Sequence, residues 1–94
     1  GFMRILIYGA GVIGSLYAAL FAKTGYDVSI YARGKRLKEL QTKGLLYLEN
    51  KSIMKANVSI CSKLEDNDIY DFIFIGFWSN NDLLCKFLYC RNKV

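Results

Sequence analysis

Apolar and polar positions along the first third of the chain predict a strand, a helix and a second strand. Residues 3–8 are an apolar run that stops at Gly9, which indicates a buried parallel strand. From Gly11 the apolar positions recur at three- and four-residue steps, which predicts a helix that ends at Gly25. Residues 27–32 form the second predicted strand. The predicted apolar face of the helix contains Ile13, Leu16, Tyr17, Leu20 and Thr24. Ala18, Ala19 and Ala22 favour a helix and are also expected to let it lie close to a sheet.

The next segments predict one more helix and a small appendage. Residues 35–43 have a leucine-bearing helical period, and Gly44 follows them. Residues 45–49 and 52–60 read as two short strands around an Asn-Lys turn, which predicts a hairpin at one side of the domain. Residues 63–70 are polar, which indicates a loop or a single helical turn.

The most apolar strand of the chain is predicted at residues 71–77. It is apolar on both faces, so we expect it to be central and covered on both sides. Residues 82–89 are predicted to open a last helix. If the strand has a free edge, its unpaired backbone favours association. We therefore expect the edge of residues 72–77 either to pair with a second copy or to be capped by the tail, residues 82–94.

These elements predict an α/β fold with one Rossmann-type parallel sheet and helices on both faces, truncated after about the fourth strand. The expected strand order is 3-2-1-4 with right-handed crossovers. A chain of 94 residues has room for one domain, which we place at residues 3–94. Gly1 and Phe2 precede Met3, the expected natural start, and we expect them to be an added remnant.

A glycine loop at residues 9–14 lies where the first strand passes into the first helix. In this context the Gly-x-Gly-x-x-Gly spacing is specific, because the N-terminus of the helix can bind a pyrophosphate. Gly9 permits the tight turn, Gly11 lets the backbone approach the ligand, and Gly14 lets the helix pack closely. The alternative is a glycine-rich turn without a ligand. The predicted pyrophosphate site comprises Gly9, Ala10, Gly11, Val12, Ile13 and Gly14.

The end of the second strand indicates which dinucleotide binds. An NAD site places an acidic residue there for the ribose 2′-hydroxyl, whereas an NADP site supplies an arginine. Residues 31–36 contain no acid, and Arg33 lies 24 residues after Gly9 (33 − 9). Its guanidinium can bind a phosphate with two hydrogen bonds, and Lys35 or Arg36 can add charge. We therefore predict NADP(H), the alternative being that Arg33 only extends from a strand end into solvent.

The net positive charge of the chain is compatible with an anionic ligand but does not by itself indicate one. The chain has 13 basic and 8 acidic residues, for a net charge of +5. The basic residues do not form one run, so we expect no nucleic-acid partner. The one tight cluster, which is either a solvated helix face or part of a phosphate site, is Arg33, Lys35, Arg36 and Lys38.

Residue types exclude several other functions. The chain has no histidine, which excludes a histidine-dependent dehydrogenase or hydrolase for this chain alone. Cys61, Cys85 and Cys90 lack metal-ligand spacing, and their odd number argues for a reducing cytoplasm and against a secreted disulfide framework. Residues 5–22 are uncharged, which also fits a signal peptide or short membrane span. The glycine spacing and the change of period argue against that alternative, so we expect a cytoplasmic protein and no membrane partner.

The sequence resembles one enzyme family over roughly residues 3–80. The motifs are GAGVIGSLYAA at residues 9–19, YARG at 31–34 and DFIFI at 71–75. They are similar to the N-terminal domain of the ketopantoate reductases, also called 2-dehydropantoate 2-reductases. The resemblance implies an oxidoreductase that uses NADPH to reduce 2-dehydropantoate to pantoate in pantothenate biosynthesis. It also implies that the glycine loop binds the pyrophosphate and that Arg33 binds the 2′-phosphate.

Two departures from that family bear on the expected site. The family usually carries a lysine and a small residue after the fourth strand, and this chain has Trp78 and Ser79 there. The Trp78 ring either stacks on the adenine or packs in the fold, and we include both residues among the cofactor-binding candidates. The family's helical substrate domain, which carries the groups used on substrate, is expected to be absent from this chain.

We therefore expect NADP(H) binding, no catalytic residue in this chain and no metal site. Lys63 and Glu65 are a tempting pair but are predicted to lie on the wrong side of the fourth strand. A small 2-keto acid is an expected partner only if a second domain is supplied. The alternatives are a stand-alone nucleotide-binding regulatory module and an inactive remnant that keeps the fold.

Overall fold

The computed structural model describes residues 3–9, 11–65, 68–79 and 82–89. For Val12 and for residues 76–79 and 82–89 only the backbone is described. The elements in chain order are β1 (Arg4–Tyr8), α1 (Val12–Thr24), β2 (Asp27–Tyr31), α2 (Gly34–Lys43), β3 (Leu46–Glu49), β4 (Ser52–Lys55), β5 (Ser59–Cys61), β6 (Phe72–Ser79) and β7 (Asp82–Tyr89).

The main sheet follows the predicted topology. Within the described residues its strand order is β5-β2-β1-β6-β7. β1 runs parallel to both β2 and β6, and β5 runs parallel to β2. The four parallel strands therefore have the predicted order 3-2-1-4, with β5 as the third strand. This confirms the truncated Rossmann-type sheet with flanking helices.

The segment of residues 52–60, predicted as one strand, divides into two. Its first part, β4, pairs antiparallel with β3 as a separate hairpin. Its last part joins the main sheet as β5, beside β2. Ala56 lies between them, buried, with its N–H bonded to the carbonyl of Leu45 at 2.8 Å. The appendage is therefore smaller than predicted, because this turn sends the chain back to the sheet.

The predicted helix at residues 82–89 is wrong. These residues form β7, which pairs antiparallel with β6 along its whole length, from Phe72 opposite Tyr89 to Ser79 opposite Asp82. A short apolar run fits both helix and strand, and the unpaired edge of β6 favours the strand. Residues 82–89 therefore pair with the edge of β6 within the same chain, which is one of the two arrangements expected for this edge. Residues 90–94 lie outside the described part.

The helix α1 forms as predicted, and Ile13 of its predicted apolar face packs on the core, but its most buried positions are small residues. Gly14, Ala18 and Ala19 are buried, whereas Leu16 and Leu20 of the predicted apolar face are about half exposed, at 53% and 49%. Small side chains face the strands because they allow the helix axis to approach the sheet closely. The core between helices and sheet is made of Ile5, Ile7, Ala18, Ala19, Val28, Ile30, Ala32, Leu40, Leu45, Ala56 and Phe74.

The two sheet faces are covered differently in the described part of the chain. The helices α1 and α2 lie next to each other, since Arg36 Nη2 on α2 donates to Ser15 Oγ on α1 at 2.9 Å. Leu6 and Ser29 alternate with the core residues of their strands and point to the opposite face. There Ser29 hydrogen-bonds the buried Tyr70, from the connection that precedes β6.

The uncharged stretch of residues 5–22 is divided among three pieces of the fold. It contains most of β1, the glycine loop and most of α1. Across the described residues, we find no helix with the length and apolarity needed to cross a membrane.

Candidate nucleotide-binding site

The glycine loop begins with a turn that only glycine adopts easily. Gly9 has φ of 99°, in the left-handed region, and its N–H donates to the carbonyl of Tyr31 at 3.1 Å. The loop is thereby tied to the end of β2. Gly11 is the N-cap of α1 and accepts the first helical hydrogen bond, from Ser15 N–H, at 2.9 Å. Ala10 lies outside the described residues.

The space available for a side chain differs between positions 14 and 11. A Cβ atom on Gly14 would lie 2.3 Å from the carbonyl oxygen of Gly9 and 3.2 Å from Cγ2 of Ile7. That glycine is therefore required by the packing of α1 on β1. A Cβ atom on Gly11 would meet nothing within 4 Å, and its φ of −75° suits any residue. Among the described residues, neither backbone conformation nor packing requires glycine at position 11.

Two other predicted loop residues belong to the helix itself. Val12 begins α1, and the side chain of Ile13 packs against the hydrophobic core. Ile13 is therefore placed to contribute to a ligand site only through its backbone. No acidic residue lies in the first turn of α1, and no side chain caps it. The N–H groups and the positive dipole end of this helix thus face the loop without a carboxylate beside them.

The second loop places Arg33 where β2 passes into α2. Ala32 is buried, and its N–H donates to the carbonyl of Cys61 at 3.2 Å. Arg33 is the exposed N-cap of α2, and Gly34 follows with φ of 58°. The first turn of α2 also contains no acid. The carboxylate typical of an NAD site is therefore missing here.

Arg36 adds a second guanidinium from the first turn of α2. It is half-buried, whereas Arg33 is exposed. Its Nη2 donates to the hydroxyl of Ser15, one turn into α1. The bond therefore joins the first turns of the two helices whose N-termini border the loops.

These residues surround one pocket at the carboxyl ends of β1 and β2. Its volume is about 430 Å³, within the range of small-molecule sites. None of the described residues that line it is acidic. They are Tyr8, Gly9, Gly11, Tyr31, Ala32, Arg33 and Arg36. A neighbouring groove of about 600 Å³ shares Gly11 and Arg36 with it and continues along α1 toward Tyr47.

Two tyrosines in this pocket were not among the predicted site residues. Tyr8 and Tyr31 are the last residues of β1 and β2 and lie opposite each other in the parallel register. Their rings stack with centroids 4.9 Å apart and an interplanar angle of 15°. The sequence signal was present, because the last residues of two neighbouring parallel strands meet at one sheet edge. The structure thus adds an aromatic wall to the predicted loops.

Trp78 and Ser79 lie at the carboxyl end of β6. Their backbone pairs with Leu83 and Asp82 of β7. This is the same edge of the parallel sheet at which β1 and β2 end, because Tyr8 pairs with Ile75. Their side chains lie outside the described part, so a role in binding remains a prediction.

The other candidate groups lie apart from this pocket. Lys63 and Glu65 form an exposed ion pair of 3.9 Å in the loop after β5. Burial, and secondarily the charge of Asp68, raises the pKa of the Cys61 thiol, whose Sγ bonds the carbonyl of Ile30. Among the residues with described side chains, no group of three or more metal-ligating side chains lies together.

Comparison with known proteins assigns this arrangement to a family. The family model described as ketopantoate reductase PanE/ApbA matches residues 5–78, from the second residue of β1 to the last but one of β6. The chain belongs to the ketopantoate reductase family. The match includes both loops of the pocket and ends before β7. The ketopantoate reductase resemblance noted from the glycine loop and Arg33 is therefore confirmed.

Several individual ketopantoate reductases support the assignment. The chain is 38% identical over 75 residues to a 2-dehydropantoate 2-reductase of Mesorhizobium japonicum, covering 79% of this chain and 23% of that protein. It is 46% identical over 66 residues to that of Archaeoglobus fulgidus, covering 70% and 22%. It is 36% identical over 62 residues to that of Pyrococcus horikoshii, covering 66% and 20%.

A solved structure extends the likeness to three dimensions. It is a crystal structure of a protein assigned as a ketopantoate reductase from Ralstonia solanacearum, with a TM-score of 0.59 and 34% identity. The alignment covers 65% of this chain and 19% of that chain. The protein thus spans about a fifth to a quarter of the length of the ketopantoate reductases it matches.

Proposed function

We propose that this chain is the NADP(H)-binding portion of an oxidoreductase that reduces 2-dehydropantoate to pantoate. The observation that carries the proposal is the pocket in which two guanidiniums and two helix N-termini meet without a carboxylate. Membership of the ketopantoate reductase family supports the substrate. The place of the reaction in pantothenate biosynthesis is part of the same proposal.

The glycine loop fits a pyrophosphate. Gly11 has open space where a side chain would be, so phosphate oxygens can approach the backbone N–H groups at the start of α1. The positive end of the helix dipole stabilises the negative charge there. Gly9 and Gly14 set the shape of this loop, the first through its φ and the second through its close contact with β1.

The second loop fits a 2′-phosphate better than a free 2′-hydroxyl. An NAD site needs a carboxylate to accept a hydrogen bond from the hydroxyl, and none of the described residues that line this pocket provides one. Arg33, at the N-cap of α2, can make two parallel hydrogen bonds to phosphate oxygens. Tyr8 and Tyr31 offer an apolar wall to the adenosine part.

When bound, the cofactor supplies the hydride for reduction of the keto group. The residues of this chain bind and orient the nucleotide half, which places the nicotinamide relative to the rest of the enzyme. Binding of the keto acid and delivery of a proton are assigned in this proposal to the remainder of a longer reductase, because the matched region is about a fifth to a quarter of its relatives.

The proposal is tested by titrating NADPH and NADH into the protein with Arg33 replaced. One charge-assisted contact contributes about 1.5–3 kcal/mol. Arg33→Ala should therefore weaken NADPH by about 10- to 100-fold and leave NADH nearly unchanged, as measured by calorimetry. Lys38→Ala is the matched control, because Lys38 is an exposed cation on the same helix that does not line the pocket.

Two results would contradict the proposal. Equal losses for NADPH and NADH in Arg33→Ala would mean that Arg33 does not hold the 2′-phosphate. Failure of the wild-type chain to bind either cofactor, with S-adenosylmethionine or another nucleotide binding instead, would mean that the loop serves a different ligand.

A further inference from the structure

We propose that Arg36 is a second residue that selects the 2′-phosphate, and that Ser15 acts as its positioning residue. The inference deepens the proposed function and rests on it. The carrying observation is the Arg36 Nη2 to Ser15 Oγ hydrogen bond of 2.9 Å at the border of the pocket. The glycine loop itself contains no cationic side chain. Arg36 borders the pocket because α2 lies beside α1.

The position of Arg36 places its charge beside the first guanidinium. Arg33 and Arg36 are three residues apart on the N-cap and first turn of α2, so they lie on the same side of that helix. Both line the pocket, together with Gly9 and Gly11 of the phosphate loop. A phosphate near Arg33 therefore lies within the field of a second full positive charge.

The hydrogen bond to Ser15 holds the side chain of Arg36 in one orientation, whereas the side chain of Arg33 is exposed. Arg33 is exposed, and binding a ligand must order its long side chain. Arg36 is half-buried and joined to α1 through Ser15 before any ligand arrives. A group that is already oriented loses less conformational entropy on binding, which increases affinity. Ser15 thus affects the phosphate through Arg36 and needs no contact with the ligand itself.

The same bond couples the two halves of the site. Ser15 lies one turn after Gly11, and its N–H donates to the Gly11 carbonyl. Arg36 lies in the first turn of α2, directly after Arg33 and Gly34. The pair therefore fixes the N-terminus proposed to bind the pyrophosphate relative to the one proposed to bind the 2′-phosphate.

The test compares two nucleotides that differ only in the 2′-phosphate. Adenosine 2′,5′-bisphosphate and 5′-AMP are titrated into the 94-residue chain by calorimetry. The proteins are the wild type, Arg36→Gln, Ser15→Ala and the double variant, with Arg33→Ala and Lys38→Ala for reference. Circular dichroism melts establish that each variant is folded. Arg36→Lys, which keeps the charge and loses the planar fork, carries the comparison if Arg36→Gln unfolds.

We expect Arg36→Gln to weaken the bisphosphate about tenfold and to change 5′-AMP less than about twofold. Ser15→Ala should weaken the bisphosphate about threefold in the wild type and should have no further effect in the Arg36→Gln background. Arg36→Lys should lie between the wild type and Arg36→Gln.

Four outcomes overturn the inference. Equal weakening of both nucleotides by Arg36→Gln would place Arg36 at another part of the ligand. A Ser15→Ala effect that persists in the Arg36→Gln background would mean that Ser15 acts independently. If Arg33→Ala abolishes the preference for the bisphosphate while Arg36→Gln leaves it intact, the inference fails and the proposed function stands. If the wild type shows no preference, both fail together.

Discussion

At the scale of single residues, the loop glycines answer different physical requirements. Gly9 is required by its positive φ, and Gly14 by the backbone oxygen of Gly9, which a Cβ atom would approach to 2.3 Å. Gly11 has neither requirement, because its φ is −75° and its surroundings are open. Folding therefore requires glycine at positions 9 and 14, whereas at position 11 the proposed ligand is the reason for it.

A matched pair of alanine substitutions tests this separation. Gly14→Ala should lower the free energy of unfolding by about 3 kcal/mol, because the contact with a backbone oxygen is relieved only by moving α1. Gly11→Ala should lower it by less than about 1 kcal/mol, the range of an N-cap change, yet weaken NADPH binding. Urea unfolding and calorimetric titration measure the two effects. Comparable unfolding losses in both variants would contradict the assignment of Gly11 to the ligand.

At the scale of elements, the β3–β4 hairpin has a turn with an unfavourable residue. Asn50 and Lys51 have φ of 50° and 66°, as in a type I′ turn. Asparagine tolerates this region, whereas lysine is strained there. Lys51→Gly should therefore raise the free energy of unfolding by about 0.5–1 kcal/mol in urea. Asn50→Gly is the control, with a smaller gain expected, and a larger gain for Asn50→Gly would contradict the turn geometry.

The buried face of α1 is determined by the strands on which this helix packs. The 3.6-residue period identified a helix, but the bulky residues Leu16 and Leu20 stay half exposed. Gly14 and Ala18 take the buried positions because α1 lies close to β1 and β2. The ring of Tyr17 lies against that of Phe74, with centroids 5.0 Å apart and an interplanar angle of 36°. Residue size, as well as hydrophobicity, therefore determines the face that packs on a sheet.

At the scale of the whole molecule, the face opposite the helices depends on a buried tyrosine. Burial raises the pKa of Tyr70 above its ordinary value of 10.0, although the hydrogen bond from Ser29 lowers it in part. Arg4 lies over the same ring, with its guanidinium carbon 4.7 Å from the centroid. Ionisation of Tyr70 is therefore expected to open this face of the sheet.

The pH dependence of stability follows from that raised pKa. Because the folded chain holds the proton more tightly, the stabilisation is fully present below the unfolded-state pKa and is lost as the pH rises through the folded-state pKa. The free energy of unfolding should thus fall above about pH 10, and Tyr70→Phe should fall less steeply. At neutral pH the free energy of unfolding of Tyr70→Phe should be about 0.5–1.5 kcal/mol lower than that of the wild type, because the variant lacks the Ser29 hydrogen bond. Parallel slopes for the two proteins would contradict this role of Tyr70.

Catalysis is a property that we expect only of a larger assembly. The 94-residue chain should bind NADPH without oxidising it in the presence of 2-dehydropantoate, as followed by absorbance of the nicotinamide. It contains no histidine, and its Lys63–Glu65 pair is an exposed one in a loop. A positioned proton donor alone contributes about 10²–10⁴-fold to such a reaction. Turnover that disappears in Gly11→Val would show that this chain is active by itself.

The sequence by itself determined the features with local causes. The positive φ at Gly9, the helix period after Gly11 and the absence of an acid near Arg33 are properties of residues close together in the chain. They sufficed for the first strand–helix–strand unit, the parallel order and the family. Similar local signals predicted residues 52–60 as one strand and 82–89 as a helix, because short apolar runs do not show which partner they will meet.

Only the tertiary structure decided which distant segments meet. Cys61 comes to lie beside Tyr31, Phe72 beside Tyr89, and Arg36 against Ser15, 21 residues away. Each contact depends on the path of the chain between its partners and on the edge or face left open by other elements. The loops of the site were therefore readable from the sequence, whereas the pairing of Arg36 with Ser15 required the packing of two helices on one sheet.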